Sequence, residues 1–153
     1  MKLEQPDFMK IAIRYARKAA AHEDVPIGAV IVQGGRIISR GENRVQKNKD
    51  ATAHAEIVAI RAASKKLGKK FLEKSEIYVT LEPCAMCATA ISFARIGRVI
   101  FAARDAKGGG ILHNARVYDT DRHLFRPSVS ESPEHADESA ELLRNFFRGR
   151  RKK

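Results

Sequence analysis

The chain has 153 residues, of which 44% are hydrophobic and 31% charged, a balance typical of one folded domain with its own core. No apolar run approaches the roughly 18 residues that a membrane span requires, and the N-terminus MKLEQPDFMK lacks the apolar segment of a secretory signal. Two cysteines cannot form a disulfide framework. We therefore expect a cytoplasmic protein with reduced thiols and no membrane partner.

The charge balance is strongly basic. The sequence has 29 lysine and arginine residues against 18 acidic ones, which gives a net charge of +11. Five of these positive charges lie in the tail RGRRKK at 148–153, which leaves +6 on the rest of the chain. A basic body with a basic tail favours a polyanionic partner such as nucleic acid. A solvated basic surface without a partner is the alternative that charge alone leaves open.

The first half of the chain predicts a helix, a hairpin and a second helix. Residues 7–21 place apolar side chains at helical spacing, which indicates an amphipathic helix. The segments VPIGAVIVQ (25–33) and RIISRG (36–41) are strand-like and flank a Gly-Gly pair, as in a hairpin. A polar loop follows over 42–51. Thr52 is then placed to cap a helix through HAEIVAIRAASKKL, and Gly68 to end it.

The next segments predict a strand, a helix and a strand. SEIYVTLE (75–82) has the pattern of a strand, and Pro83 suits the first position of a helix through PCAMCATAISFAR. RVIFAA (98–103) predicts the following strand. Two strands joined by a helix at this spacing form a βαβ crossover, which pairs them in parallel within a covered sheet.

The C-terminal third is less regular. Residues 105–130 predict a glycine-rich loop with one short strand near 116–118, and the last helix is expected to begin near Ser132 and Pro133. The element order predicts the α/β class with one sheet between helices. We expect a single domain over 1–153, with a basic C-terminal helix and tail over 134–153.

The only two cysteines, Cys84 and Cys87, lie in PCAMC at 83–87. By themselves they are compatible with a redox pair, half of a structural metal site, or part of a catalytic one. His54 and Glu56, in the tripeptide HAE, also lie on the first turn of a predicted helix. Spacing of three residues places both sulfurs on one helix face, and a helix N-terminus lowers a thiol pKa, which favours the thiolate that a metal needs.

The number of ligands distinguishes these roles. One imidazole and two thiolates make three protein ligands, whereas a structural zinc site has four and a catalytic site keeps one position open. Bound zinc lowers the pKa of water to about 7, and a carboxylate beside it can take up and return a proton. With Glu56 left over as such a carboxylate, the pattern indicates hydrolytic zinc chemistry.

The motif H-A-E followed by P-C-x-x-C resembles that of zinc-dependent nucleoside and nucleobase deaminases. More narrowly, the chain resembles bacterial tRNA-specific adenosine deaminases over residues 7–151. The resemblance implies a three-layer α/β/α cytidine-deaminase-like fold with one mixed sheet of about five strands, one Zn²⁺ per subunit, and a homodimer. The similar segments are VPIGAV (25–30), NR (43–44), TAHAEI (52–57), TLEPCAMC (80–87), RIGRVIFAARDAK (95–107) and LLRNFFRGRR (142–151).

The resemblance also implies roles for individual residues. His54, Cys84 and Cys87 would be the zinc ligands, and Glu56 the catalytic proton shuttle. Water activated by the zinc would attack C6 of adenine while Glu56 protonates N1 and then the amino group, which leaves as ammonia and yields inosine. The expected RNA contacts are Asn43 with the base, Ile27 as a wall against the flipped base, Asp105 and Lys107 with neighbouring nucleotides, and Phe147 and Arg151 with the anticodon loop.

The leading hypothesis is deamination of adenosine to inosine at the wobble position (34) of a tRNA anticodon, with an arginine tRNA of anticodon ACG as the substrate. The alternative is a free nucleobase or nucleoside deaminase, acting on guanine, cytosine or cytidine, with the same zinc site. A non-catalytic zinc-containing RNA-binding module is a third reading.

Some residues near the motifs are assigned no catalytic role. Glu82 is expected to hold the strand-to-helix turn, and His113 to be a surface or loop histidine. The segment after ARDAK departs from the shorter loop common in the family, so no role is assigned between 108 and 130.

Overall fold

A computed structural model describes residues 5–120 and 124–151, with only the backbone described for residue 151. It contains five strands and five α-helices within these ranges. The elements are α1 (Phe8–Ala21), β1 (Gly28–Gln33), β2 (Arg36–Glu42), α2 (Val45–Asn48), α3 (Ala55–Leu67), β3 (Ser75–Leu81), α4 (Ala85–Phe93), β4 (Arg98–Ala103), β5 (Ser128–Glu131) and α5 (Ala136–Arg151). Short 3₁₀ turns lie at Val117–Asp119 and Pro133–His135.

The five strands form one sheet in the order β2-β1-β3-β4-β5. The pairs β2–β1 and β1–β3 are antiparallel, and the pairs β3–β4 and β4–β5 are parallel. The sheet is therefore mixed, and β3, α4 and β4 form the crossover that the sequence predicts. The expected mixed sheet of about five strands is confirmed.

Helices cover both faces of the sheet. On one face, Ala29 and Ile31 of β1 belong to a core that includes residues of α3 and α4. On the other face, Val30 and Val32 of the same strand pack with α1, and Leu142 of α5 lies against that core. Because every residue of β1 from Gly28 to Val32 is buried, the strand reads as a continuous apolar run rather than an alternating one. The three-layer α/β/α arrangement is confirmed.

The helix starts differ from the sequence prediction. Thr52 does not cap α3, because its hydroxyl donates to the Asp50 carboxylate at 2.7 Å. His54 holds the N-cap position of α3, and Cys84 that of α4, each without a side-chain capping hydrogen bond. Pro83 therefore precedes the N-cap instead of taking the first helical position. Both corrections leave the His54 and Cys84 side chains available for another partner.

Two loop predictions were also wrong. The polar segment 42–51 contains the short helix α2, whose amides are held by a side chain from a distant segment, Asp24. The strand expected near 116–118 is a 3₁₀ turn, in which the buried Tyr118 donates its hydroxyl to the carbonyl of Ala88 at 2.7 Å. The fifth strand forms later, where Ser128–Glu131 pairs with β4.

One edge of the sheet collects the segments that the sequence singles out, and we call it the site edge. The strands β2, β3 and β4 end there and β1 begins there, which follows from the antiparallel and parallel pairings. The site edge therefore carries Ile27, Asn43, Cys84 and Asp105, together with the first turn of α3. Among the described residues, no helix is both long and apolar enough to cross a membrane.

The close approach of α1 to the sheet requires glycine at position 28. A Cβ on Gly28 would collide with the carbonyl oxygen of Ala12 and lie 2.6 Å from the nitrogen of Ala16. Overpacking of this kind costs about 1–3 kcal/mol, or more where backbone must move. We expect Gly28→Ala to lower the free energy of unfolding by at least that amount in a denaturant titration.

The matched control for this variant is Gly149→Ala. Position 149 lies in α5 with nothing within 4 Å of an added Cβ. Replacing glycine by alanine inside a helix stabilises by about 0.5–1 kcal/mol. An unfolding free energy for Gly28→Ala equal to that of the wild type would contradict the packing described for α1.

Candidate active site

Three potential metal ligands converge at the site edge. Nδ1 of His54 lies 3.6 Å from Sγ of Cys84 and 3.5 Å from Sγ of Cys87, and all three donor atoms lie within 4.8 Å of one another. Zinc bonds of about 2.3 Å to sulfur and 2.0–2.1 Å to nitrogen, at the tetrahedral angle, place nitrogen and sulfur about 3.6 Å apart. The three residues are thus positioned to hold a zinc ion.

The two helices make this convergence possible. His54 and Cys84 are the N-cap residues of α3 and α4, both with extended backbone, and Cys87 lies one turn into α4. Cys87 is buried while His54 and Cys84 are half-buried, so the cluster is closed toward the core and open toward solvent. No other cluster of three histidine, cysteine or acidic residues with this spacing occurs in the described part of the chain.

The thiols differ in their readiness to ionise. The hydrogen bond from the Cys87 thiol lowers the pKa of Cys84 to about 4, with further help from His54. That same hydrogen bond, together with burial, raises the pKa of Cys87. At neutral pH the pair therefore contains a thiolate, the form in which cysteine binds a metal.

Glu56 lies beside the cluster and is only 4% exposed. Burial raises the pKa of this carboxyl to about 7, and the negative charge of Cys84 adds to the effect. A carboxyl that titrates near 7 exchanges its proton readily at neutral pH. Its burial also excludes the simplest alternative, that Glu56 is a solvent-facing helix carboxylate.

Asn43 and Ile27 lie side by side next to the cluster. The amide of Asn43 donates to the carbonyl of Ile27 at 3.0 Å, and the amide of Arg44 donates to the carbonyl of Ala53 at 2.9 Å, one residue before His54. The Asn43 side chain accepts from the amide of Val45 through Oδ1. Within the described residues its Nδ2 donates to no protein group, so this donor is left for a ligand.

A buried carboxylate missed by sequence reasoning, Asp24, holds the segment that follows Asn43. Its Oδ1 accepts from the amide of Gln46 at 2.6 Å, and its Oδ2 accepts from the amide of Lys47 at 3.1 Å. Nδ1 of His22 lies 2.9 Å from Oδ2. Asp24 thereby fixes α2 relative to the end of α1. The two amides that it accepts lie more than twenty residues along the chain, so no local sequence pattern predicts these contacts.

Asp105 and Lys107 lie in the loop after β4. Oδ1 of Asp105 accepts from the amides of Lys107 and Gly108 at 3.2 and 3.0 Å, which closes a tight turn. Asp105 is half-buried and Lys107 is exposed. One oxygen of Asp105 is thus used within the protein, whereas the Lys107 side chain is presented to solvent.

Glu82 does not hold the strand-to-helix turn as expected. Its carboxylate accepts hydrogen bonds from three amides and one ring nitrogen of the segment 105–113. Burial opposes ionisation of Glu82, but the amide of Asp105, the His113 ring and the amides of Leu112 and Ile111 outweigh it and lower the pKa of the carboxyl. His113 is a half-buried loop residue with a defined partner.

The C-terminal helix reaches the site edge through its last turns. Phe147 is exposed and packs edge-on against Phe146, with ring centroids 5.4 Å apart. Nη2 of Arg150 donates to the carbonyl of Glu23 at 3.1 Å, and Glu23 follows α1 just before Ile27. Arg151 is the last residue of α5, and its side chain lies outside the described residues.

Comparison with known proteins agrees with this geometry. The family model for the cytidine and deoxycytidylate deaminase zinc-binding region matches residues 3–103. The chain is 47% identical to the tRNA-specific adenosine deaminase of Agrobacterium fabrum over 97% of each protein, and 44% identical to that of Aquifex aeolicus over 92% of each. It is also similar to a solved structure from a study of A-to-I editing by tRNA:A34 deaminases at the wobble position of transfer RNA, with a TM-score of 0.86 and 46% identity over 89% of this chain and 98% of that one. The chain therefore belongs to the cytidine and deoxycytidylate deaminase family of zinc-binding enzymes.

Proposed function

We propose that this protein deaminates adenosine to inosine at the wobble position of a tRNA anticodon, with water as the co-substrate and ammonia as the second product. The observation that carries the proposal is the three-ligand cluster of His54, Cys84 and Cys87 beside the buried Glu56. The near-full-length similarity to proteins named tRNA-specific adenosine deaminase supports this substrate among those that the family handles.

The chain's own residues account for proton movement. His54, Cys84 and Cys87 would hold the zinc ion, which when bound would supply a water whose pKa is lowered to about 7. Glu56, buried beside these ligands, would receive the proton that the attacking water loses. It would pass that proton to N1, then take the second proton from the hydroxyl on C6 and pass it to the amino group, so that oxygen replaces nitrogen at C6 and ammonia departs.

Recognition of the base falls to the residues beside the cluster. Asn43 offers its free Nδ2 donor to an acceptor on the purine edge, and Ile27 forms an apolar wall against the ring. A purine must leave its stack to reach such a site, which costs less in a loop than in a duplex because loop bases are already partly unstacked. An anticodon loop therefore suits the site better than a helical segment.

The charged residues around the site edge favour a polyanionic substrate. Lys107 and Arg148 are exposed, and Arg150 fixes the end of α5 against the carbonyl of Glu23. Exposed lysine and arginine side chains can contact RNA phosphates, and such contacts position an RNA without reading its sequence. We assign the RNA contacts to Asp105, Lys107, Phe147 and Arg151, and the substrate to an arginine tRNA with anticodon ACG, on the resemblance to bacterial tRNA-specific adenosine deaminases.

The two competing functions fit these observations less well. A free nucleobase or nucleoside is small and uncharged, so it gains little from the basic surface of a chain with a net charge of +11. In an RNA-binding module with a structural zinc, a buried carboxyl such as Glu56 would lose its hydration without taking part in catalysis.

We further take residues 1–153 as one cytoplasmic deaminase unit, with 134–153 as its basic C-terminal segment.

A homodimer forms, on our proposal, through the outer face of α4. This helix is apolar on nearly all sides, and such helices are normally buried all round. Its outer face is nevertheless open in the single chain, where Phe93 is 67% exposed and Met86 is also exposed. Phe125 extends the same surface, since its carbonyl accepts from Ser92 of α4 at 2.6 Å. A second copy would cover these side chains.

The function is tested with an unmodified arginine tRNA of anticodon ACG. We expect the zinc-loaded protein to produce inosine at the wobble position, read by sequencing. Glu56→Ala should abolish turnover, with a loss of at least about 100-fold as expected for a general acid–base group, while retaining zinc and RNA binding. Glu73→Ala, at an exposed glutamate, is the matched control and should retain activity.

Three results would redirect this assignment. Ammonia release from free guanine or cytosine without any reaction on tRNA would favour the nucleobase alternative. Equal RNA binding by wild type and Glu56→Ala, with no deamination of any substrate, would identify a binding module. Full activity of Glu56→Ala would remove the proposed proton shuttle.

The role of the basic tail is tested by the salt dependence of tRNA binding. Replacing Arg148, Lys152 and Lys153 by glutamine removes three charges and keeps the contact of Arg150 with Glu23. Each lost phosphate contact reduces the magnitude of the slope of log K against log salt by about 0.7–0.9, so the loss of three should reduce it by about 2–3. An unchanged slope in a binding titration over a series of salt concentrations would mean that the tail is merely solvated.

The proposed dimer is tested by sedimentation analysis. Phe93→Asp places a charge in the apolar surface and should convert the dimer to a monomer, because an unpaired charge cannot be buried in an interface without a large penalty. The matched control is Phe147→Asp, which changes an exposed phenylalanine of α5 outside the proposed interface and should leave the mass of the dimer unchanged. A monomeric wild type would contradict the proposed dimer.

A further inference from the structure

The Glu82 side chain is fully enclosed, with 0% of its surface exposed, although it lies only two residues before the ligand Cys84. Oε1 accepts from the amide of Asp105 at 3.2 Å and lies 2.7 Å from Nδ1 of His113. Oε2 accepts from the amides of Ile111 and Leu112 at 3.2 and 3.0 Å. The carboxylate therefore binds both ends of the segment 105–113.

The carbonyl groups of the same segment are bound by Asn114, which directly follows it. Nδ2 of Asn114 donates to the carbonyl of Gly109 at 2.8 Å and to that of Lys107 at 3.2 Å. Asn114 has a positive φ of 54°, a conformation that asparagine tolerates better than most residues. Glu82 binds amides of the segment and Asn114 binds its carbonyls, and these contacts together hold the conformation of its backbone.

The segment 105–113 lies in close contact with the start of α4. The amide of Gly110 donates to the carbonyl of Pro83 at 2.8 Å, and a Cβ on Gly110 would lie 2.8 Å from the carbonyl carbon of Cys84. A Cβ on Gly109 would collide with the Glu82 carboxylate. The two glycines thus allow the segment to lie directly on the backbone that carries the metal ligands.

We propose that Glu82 is a positioning residue for RNA recognition, which fixes the segment 105–113 and thereby the place where Lys107 meets the substrate. The inference rests on the proposed tRNA function. The connection is short: Glu82 binds the amide of Asp105, and Asp105 binds the amide of Lys107 through its own carboxylate. Because Glu82 is enclosed and accepts four hydrogen bonds, it does not touch the substrate.

This role separates binding from chemistry. The metal ligands and Glu56 approach the reacting atoms from α3 and α4, whereas Glu82 acts through the loop after β4. Disturbing Glu82 should therefore raise KM for tRNA while leaving kcat and the zinc content nearly unchanged. A merely structural role would lower stability or zinc content without such a split between KM and kcat.

The direct test is Glu82→Gln. The substitution keeps the size of the side chain, but its NH₂ group cannot accept, so at least one amide of the segment loses its acceptor. We expect KM for tRNA to rise about tenfold, the change produced by weakening one good contact, with kcat within about threefold of the wild type and one zinc per chain.

A pair of variants at His113, the more exposed partner of Glu82, provides a second test. His113→Leu removes the ring donor, and His113→Gln supplies an amide donor in its place. We expect His113→Leu to raise KM in the same way and His113→Gln to restore most of the wild-type value. Because His113 is half-buried, this pair keeps the proposal testable if Glu82→Gln does not fold.

A double-mutant cycle with Lys107→Ala tests whether Glu82 acts through the loop. If Glu82 serves to place Lys107, its substitution should raise KM by much less when Lys107 is already absent. Additive effects of Glu82→Gln and Lys107→Ala on KM would overturn the proposal, as would a loss of kcat or zinc at unchanged KM. A wild-type protein that deaminates no tRNA would instead refute the proposed function itself.

Discussion

The separation of 3.5–3.6 Å between Nδ1 of His54 and the two cysteine sulfurs depends on how closely α3 and α4 approach the sheet. Small residues provide that approach. A Cβ on Gly41 of β2 would lie 2.5 Å from the carbonyl oxygen of Ala55, and the inner face of α3 is built from Ala55, Ala59 and Ala63. A larger side chain at any of these positions would push the start of α3, and with it His54, away from the cysteines.

Burial divides the site into two sides with different chemistry. Cys87 and Glu56 face the core, where loss of hydration raises the pKa of Glu56 to about 7. His54 and Cys84 lie toward solvent, so a zinc ion held by the three residues would be reached by a substrate from that side. The same ligand set buried on all sides would suit a structural ion.

Two enclosed carboxylates organise the loops on either side of the site. Asp24 binds the amides of Gln46 and Lys47 after β2, and Glu82 binds amides of the segment after β4. Both loops carry residues assigned to RNA recognition, Asn43 in one case and Lys107 in the other. A carboxylate that accepts several backbone amides holds a loop more firmly than the loop's own turns can, because each such bond is charge-assisted.

The parts of the fold that depend on local pattern were predictable. The spacing of apolar residues predicts α1, the Gly-Gly pair predicts the hairpin of β1 and β2, and Gly68 ends α3 with a positive φ of 64°. The motif residues were identifiable because two thiolates, an imidazole and a nearby carboxylate have few joint uses other than zinc hydrolysis.

Most of the errors arise where a partner from a distant segment determines the structure. The start of α3 is the exception, because Asp50, only two residues earlier, accepts the hydroxyl of Thr52, which therefore does not cap the helix. The segment 105–113 takes its shape from Glu82, which lies 23–31 residues earlier in the chain. Tyr118, in the turn that replaces the strand expected at 116–118, donates its hydroxyl to the carbonyl of Ala88, 30 residues earlier. Neither distant contact leaves a periodic signal, so that strand and the turn-holding role expected of Glu82 were both wrong.

Stepwise addition of zinc to metal-free protein, with inosine formation on tRNA followed at each step, tests the central claim most directly. That claim is that His54, Cys84 and Cys87 hold one ion on which the chemistry of Glu56 depends. We expect no activity without metal, a linear rise, and a plateau at one zinc per chain. Full activity in metal-free protein, or a plateau only at two or more zinc ions per chain, would contradict the account.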